Sequence, residues 1–283
     1  MIENAWHRLG DVTADDLADA LHETHWALQL VAAAGQNFVS ARDDDSHRTA
    51  TWDARRGALV GEPFDGAYPF RVGLRLDDLS LHMFDRTDES LAVLPLAGQT
   101  LEDAYAWLAA GVGSYSGSLP VLDRPEYDMP DHPVGAGRPF ANDRDAARRT
   151  IAALYETSAQ ALAELVDQKE GAAEVRCWPH HFDIATLVPV GQTDDGAAQT
   201  IGVGMSPFGG GYESWYWYVS PYPFPAAEDL PELDGPGNWH TDGWTGAALT
   251  FEEVVRADAA FRPPLVRGFI ERAWAGSLTA LGR

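Results

Sequence analysis

Phe70-Arg71-Val72-Gly73-Leu74-Arg75-Leu76-Asp77-Asp78-Leu79-Ser80-Leu81-His82-Met83-Phe84 decides the fold class. Apolar and polar residues alternate along both arms of this stretch, which is the period of strands with one buried face. The Asp77-Asp78 pair between them suits a tight turn, so a hairpin is predicted. Segments of the same character at 49–52, 58–61 and 91–96 extend it into an antiparallel meander.

Helical spacing takes over on either side. Residues 13–34 put Leu17, Leu21, Leu28 and Val31 on one face, with Asp15 and Asp16 in the first turn and Gly35 after the last, which predicts a capped helix. Residues 100–112 repeat the period through Leu101, Ala104, Tyr105 and Leu108, ending at Gly111 or Gly113. The stretch 114–142 holds Pro120, Pro125, Pro130, Pro133 and Pro139, too many breakers for regular structure, and is a linker or a long ordered loop. A third helix is predicted over 143–171, then strands near 174–178, 182–190, 200–205, 215–219 and 243–250, and a helix over 263–281 opening on Pro263. The order helix, strands, helix thus occurs twice. The expected class is α+β, antiparallel sheets with flanking helices. One arrangement is an N-terminal lobe (1–113), a connector (114–142) and a similar C-terminal lobe (143–283) carrying the candidate site; the other is one continuous sheet with all helices on one face.

Composition narrows the partners. The 283 residues are 45% hydrophobic and 22% charged, enough for a sizeable core. Forty-three acidic against 20 basic residues give a net charge of -23, which repels nucleic acid phosphates and anionic lipid. Lys169 is the only lysine. The only cysteine, Cys177, excludes an intramolecular disulfide framework and a cysteine-rich zinc module, and fits a reducing cytoplasm. No apolar run approaches the roughly 20 residues of a membrane span, and the N-terminal residues lack the basic head and apolar core of an export signal. A soluble cytoplasmic protein is expected, with a small molecule as the remaining class of partner.

Trp178-Pro179-His180-His181-Phe182-Asp183 gathers titratable groups into an apolar segment, where they are costly unless paired or used. If 178–187 is a strand, His181 and Asp183 share one face, and the carboxylate can fix the imidazole's tautomer for a general base or a metal ligand. A self-satisfied buried polar pair is the plain alternative. The spacing His181-x-Asp183 with a distant His240 also resembles the iron-binding triad of non-haem oxygenases, although long helices interrupt the chain where those enzymes have a jelly roll. A divalent metal, Zn, Fe or Mn, is therefore one expected cofactor. Glu213 follows Gly209-Gly210-Gly211 and precedes Trp215-Tyr216-Trp217-Tyr218; it lines a cleft or sits solvated at the rim of a glycine turn. On the first helix His25 and Gln29 share a stripe beside Trp26 and can face a ligand. Ser114-Tyr115-Ser116 lacks the Gly-x-Ser-x-Gly setting of a hydrolase nucleophile.

Trp26-Ala27-Leu28-Gln29, Phe182-Asp183-Ile184-Ala185, Gly211-Tyr212-Glu213 leading to Tyr216-Trp217-Tyr218-Val219-Ser220-Pro221-Tyr222-Pro223, and Trp239-His240 together resemble a bacterial domain family of unknown function. The resemblance runs over nearly the whole chain and implies positions without a reaction. It keeps the Phe-Asp step where the two preceding histidines are replaced, so it favours Asp183, Glu213 and His240, with Gln29 behind them. Two function classes follow. An enzyme would use Asp183, Glu213 and His240 for acid–base chemistry, or His181, Asp183 and His240 for a metal. A binding protein would use the same polar groups, with Trp26, His25 and Gln29, to anchor a ligand among Trp178, Trp215, Trp217, Trp239 and Trp244. A third reading makes all these groups satisfied core contacts.

Overall fold

The computed structural model describes residues 3–65, 70–85, 87 and 89–283. Met1 and Ile2, part of the N-terminal stretch read above for an export signal, lie outside them. The helices are α1 (Glu3–Arg8), α2 (Ala14–Phe38), α3 (Leu101–Ser116), α4 (Asp145–Val166), α5 (Phe251–Arg256) and α6 (Arg262–Ala280). The strands are β1 (Ala50–Asp53), β2 (Ala58–Gly61), β3 (Arg71–Arg75), β4 (Ser80–Phe84), β5 (Ser90–Pro95), β6 (Arg176–Trp178), β7 (Asp183–Gln192), β8 (Ala198–Ser206), β9 (Tyr216–Tyr222), β10 (Asn238–His240) and β11 (Gly246–Thr250). Neighbouring strands run antiparallel, and the class is α+β with flanking helices. The chain divides into an N-terminal unit, Asp11–Glu156 with Cys177–Phe182, and a C-terminal unit, Met1–Gly10 with Thr157–Arg176 and Asp183–Arg283.

In the N-terminal unit the strand order is β6-β1-β2-β3-β4-β5. The predicted hairpin pairs Arg71 with Phe84 through Arg75 with Ser80. Its turn is fixed by Arg75, which binds Asp78, and by Ser80, whose hydroxyl donates to Asp78 at 2.6 Å. Thr13 caps α2 by accepting from the Asp16 amide at 3.2 Å. The helix does not stop at Gly35, as the sequence suggests, but runs to Phe38. Gly35 is there for space: a Cβ would overlap the backbone carbonyl of His47. α3 likewise passes Gly111 and Gly113 and ends at Gly117, whose φ of +79° is the left-handed cap conformation. Residues 117–142 are an ordered loop held to α2. Asn37 exchanges hydrogen bonds with the Asp123 backbone at 2.7 and 2.9 Å, Trp26 Nε1 donates to the Pro130 carbonyl at 3.0 Å, and the Ala141 amide donates to Glu23 at 2.6 Å. Glu23 is fully buried and paired with buried Arg148 at 3.0 Å.

In the C-terminal unit the order is β10-β11-β9-β8-β7. Register places Ile184, Met205, Trp217 and Leu249 side by side, and all four are fully buried. Val203, Val219, Ala247 and Trp239 share that face, which α6 covers: a Cβ on Gly276 of α6 would lie 2.9 Å from the Trp239 ring. The opposite face carries Ala185, Gly204, Tyr218 and Ala248 in one row. Its margin is open, with Leu187 and Tyr222 50% and 58% exposed, whereas Tyr216 and Ala248 at its centre are buried. Among the described residues no helix is long and apolar enough to cross a membrane.

One expectation fails here. Residues 178–187 are not a single strand: β6 ends at Trp178, the Phe182 amide returns to the Trp178 carbonyl at 2.7 Å, and Phe182 adopts φ +60°. β7 begins only at Asp183. The alternation that put His181 and Asp183 on one strand face therefore does not apply to them.

Candidate functional site

The residues singled out by the sequence fall into two groups. His25, Trp26, Gln29 and His181 belong to the N-terminal unit; Asp183, Glu213, His240, Trp217 and Trp239 belong to the C-terminal unit.

In the first group, successive turns of α2 aim His25 and Gln29 at one acceptor. The carbonyl of Pro179 takes His25 Nε2 at 2.8 Å and Gln29 Nε2 at 2.9 Å, and because a carbonyl only accepts, His25 carries its proton on Nε2. Phe182 stacks on the His25 ring with centroids 5.4 Å apart and planes at 5°. Tyr155 of α4 stacks on Phe182 in turn and donates its hydroxyl to the Phe182 carbonyl. Burial drives the His25 pKa down to about 4, against the opposing effect of the Pro179 bond. These side chains hold the 178–182 turn. His181, at its tip, is exposed and lies against His180 at 4.3 Å. Trp26 grips the 117–142 loop: a Cβ on Gly135 would collide with its ring.

The second group is built on the sheet face away from α6. Asp183 heads β7 and accepts from the Tyr218 hydroxyl at 2.7 Å, across Gly204 of the intervening strand. That reach needs the glycine, because a Cβ at 204 would sit 2.6 Å from the Tyr218 oxygen and 2.8 Å from Ala185 Cβ. Trp244 lies over Gly246 in the same way, with a Cβ there only 2.5 Å from its ring. His240 stacks on Trp244 at 4.5 Å and 25°, donates from Nε2 to the Asp242 carbonyl at 2.7 Å, and meets the Tyr212 hydroxyl through Nδ1 at 3.3 Å. Tyr212 packs on Tyr216 at 4.2 Å, and Trp244 stacks on Tyr216 and meets Tyr218 edge-on. Trp244 Nε1 also donates to the Gly210 carbonyl at 2.9 Å. The result is a continuous aromatic layer with a carboxylate at one end.

The glycine run is a turn. Gly209, Gly210 and Gly211 all have positive φ, and Gly209 and Tyr212 exchange backbone bonds of 2.9 and 3.1 Å. Glu213 is exposed beyond it. Trp217 and Trp239 occupy the helix-covered face, and Trp239 donates to the Pro231 carbonyl at 2.7 Å.

Burial, then the negative Asp183, raises Tyr218 well above the usual phenol range, and burial pushes Tyr216 up to about 12. Both hydroxyls are donors at neutral pH. His240 has both ring nitrogens in contact with the protein, Nε2 with the Asp242 carbonyl and Nδ1 with the Tyr212 hydroxyl. Among the described residues no three His, Cys, Asp or Glu side chains are grouped to hold a metal ion.

Sequence reasoning passed over Tyr218, Tyr212, Gly204 and Gly246 as site residues. The signal lay in the alternation of Trp215, Trp217 with Tyr216, Tyr218: the hydroxyl-bearing set takes the face away from α6, with Tyr218 opposite Gly204 of β8. Comparison with family models, curated proteins and solved structures gives no match to this chain.

Proposed function

We propose that the protein is a non-catalytic binder of a small polar ligand, held ring against ring on the half-buried Tyr212, His240 and Trp244 of the C-terminal sheet. The observation that carries this reading is the set of rings laid over Gly204 and Gly246 on a face that α6 leaves uncovered, with His240 spent on its own neighbours. Pre-set aromatic surface supplies contact area at little ordering cost. Asp183 gives the layer a polar, hydrogen-bond-accepting edge. Of the residues that carry the family resemblance, Asp183, Tyr212 and His240 belong to this layer, which supports a shared ligand face. That the chain has a single cysteine, Cys177, supports a reducing cytoplasm as the setting, and the net charge of -23 argues against nucleic acid as a partner.

A panel of monosaccharides, nucleosides and small aromatic acids, screened by thermal shift and ligand-observed NMR, tests it. Binding of at least one class, lost in Trp244→Leu and weakened in Asp183→Asn while both variants keep the wild-type fold, is the expected result. A panel without a ligand, or turnover of a panel member that disappears in His240→Ala, would overturn the binding reading.

A further inference from the structure

The N-terminal unit holds a separate cavity of about 640 Å³, within the range of sites for small organic ligands. Its walls are a chain of rings: Phe38 meets Phe64 at 4.7 Å, Phe64 meets Phe70 at 5.0 Å, and Phe70 meets Tyr115 at 5.2 Å. Phe64 and Phe70 are buried, whereas Tyr115 is 43% exposed at the mouth. Asp65 is the one charged side chain among the described lining residues.

That carboxylate is fixed in place. Asp65 Oδ2 accepts from both the amide and the hydroxyl of Ser40 at 2.6 Å, and these bonds hold its pKa below the usual carboxylate range, so it stays ionised. The nearby Arg42 is paired with Glu62 at 3.1 Å. A negative charge beside π faces, in a chain of net charge -23, is the environment that attracts a cation with apolar substituents. A neutral ligand would gain only the ring contacts, and an anion would be repelled.

We infer that this cavity is a second ligand site that takes a small organic cation, an amine or quaternary ammonium, seated against Phe70 and Tyr115 with its charge towards Asp65. It is independent of the reading given to the C-terminal sheet, because no residue is shared.

Phenyltrimethylammonium is the probe, and tert-butylbenzene its neutral counterpart of the same shape. Calorimetry and saturation-transfer NMR on the full chain are expected to show the cation binding roughly tenfold more tightly than the neutral molecule. Asp65→Asn, which keeps the shape and the Ser40 contact, should remove most of that preference, and Tyr115→Leu, at an exposed ring, should weaken the cation several-fold. Trp244→Leu should leave it unchanged. Far-UV circular dichroism and melting temperature establish that each variant is folded. Equal binding of the two probes, no detectable binding of the cation, or unaltered affinity in folded Asp65→Asn would overturn the inference. So would a response lost in Trp244→Leu and kept in Asp65→Asn, which would put the cation on the C-terminal sheet instead.

Discussion

His25 and His240 are the same residue type, each donating Nε2 to a backbone carbonyl at 2.8 and 2.7 Å and each stacked on an aromatic ring. Their surroundings separate them. His25 is 1% exposed, pressed between Phe182 and the Pro179 carbonyl, and its business is to hold a turn. His240 is half-buried on a short outer strand, with the half-buried Trp244 and Tyr212 forming a layer beside it. Local chemistry alone therefore does not distinguish a structural histidine from one in a ligand surface; what covers the ring does.

Acid is the sharpest way to break that comparison. The His25 pKa of about 4 in the fold lies below the usual value of 6.5, so the unfolded chain takes up its proton first. Its contribution is complete above pH 6.5 and is lost as pH falls towards 4, about 3 kcal/mol over the whole window. His22 and His180, whose pKa values burial also lowers, act in the same direction. Denaturant titrations between neutral pH and about pH 4 should show wild type losing about 3 kcal/mol more than His25→Gln, which cannot take a proton. Parallel pH dependences would mean that His25 is not held neutral and that the two histidines are alike after all.

The sequence conveyed short-range order well and long-range order poorly. The 70–84 hairpin, the helical stripes and the antiparallel class follow from periods of two and 3.6 residues, and these survive into the structure. Glycines did not. Gly35 and Gly111 follow apolar helical runs just as caps do, yet the first makes room for the His47 carbonyl and the second for the Met83 sulfur. The Trp178–Phe182 turn was hidden because nothing local marks Phe182 for a positive φ; its carbonyl is taken by Tyr155, 27 residues earlier. In the same way β10 is three residues long, too short for any period, so the strand that presents His240 was invisible and nothing separated Trp244 from Trp217 and Trp239, which the sequence offered beside it.

The aromatic layer can be tested from beneath. Gly204→Ala drives a methyl group into the Tyr218 oxygen and Ala185, so the ring must lift away from Asp183. We expect a loss of about 2 kcal/mol from overpacking together with the displaced hydrogen bond, read as a lower denaturation midpoint at unchanged slope. Gly202→Ala on the same strand is the control: its nearest contacts are at 3.8 and 3.9 Å, ordinary packing distances, and its effect should stay within about 0.5 kcal/mol. Equal effects at the two positions would mean that Tyr218 is not laid across Gly204, and the layer would lose its fixed edge.

The smallest effect is expected at Glu213, which the sequence ranked beside Asp183 and His240. Three consecutive positive-φ glycines make the turn before it, and the turn closes on Tyr212 through its own backbone, so the carboxylate is carried out to solvent while Tyr212 is turned in against His240. Glu213→Gln should change stability by no more than about 0.5 kcal/mol, the ordinary range for a surface substitution, and should leave the affinity of any ligand found on the sheet within about twofold, or 0.4 kcal/mol. Tyr212→Leu, by contrast, removes a ring from the layer and should weaken that ligand. If Glu213→Gln abolishes binding while Tyr212→Leu does not, the ligand sits over the rim of the glycine turn, and the half-buried rings that set His240 apart from His25 serve to brace that turn.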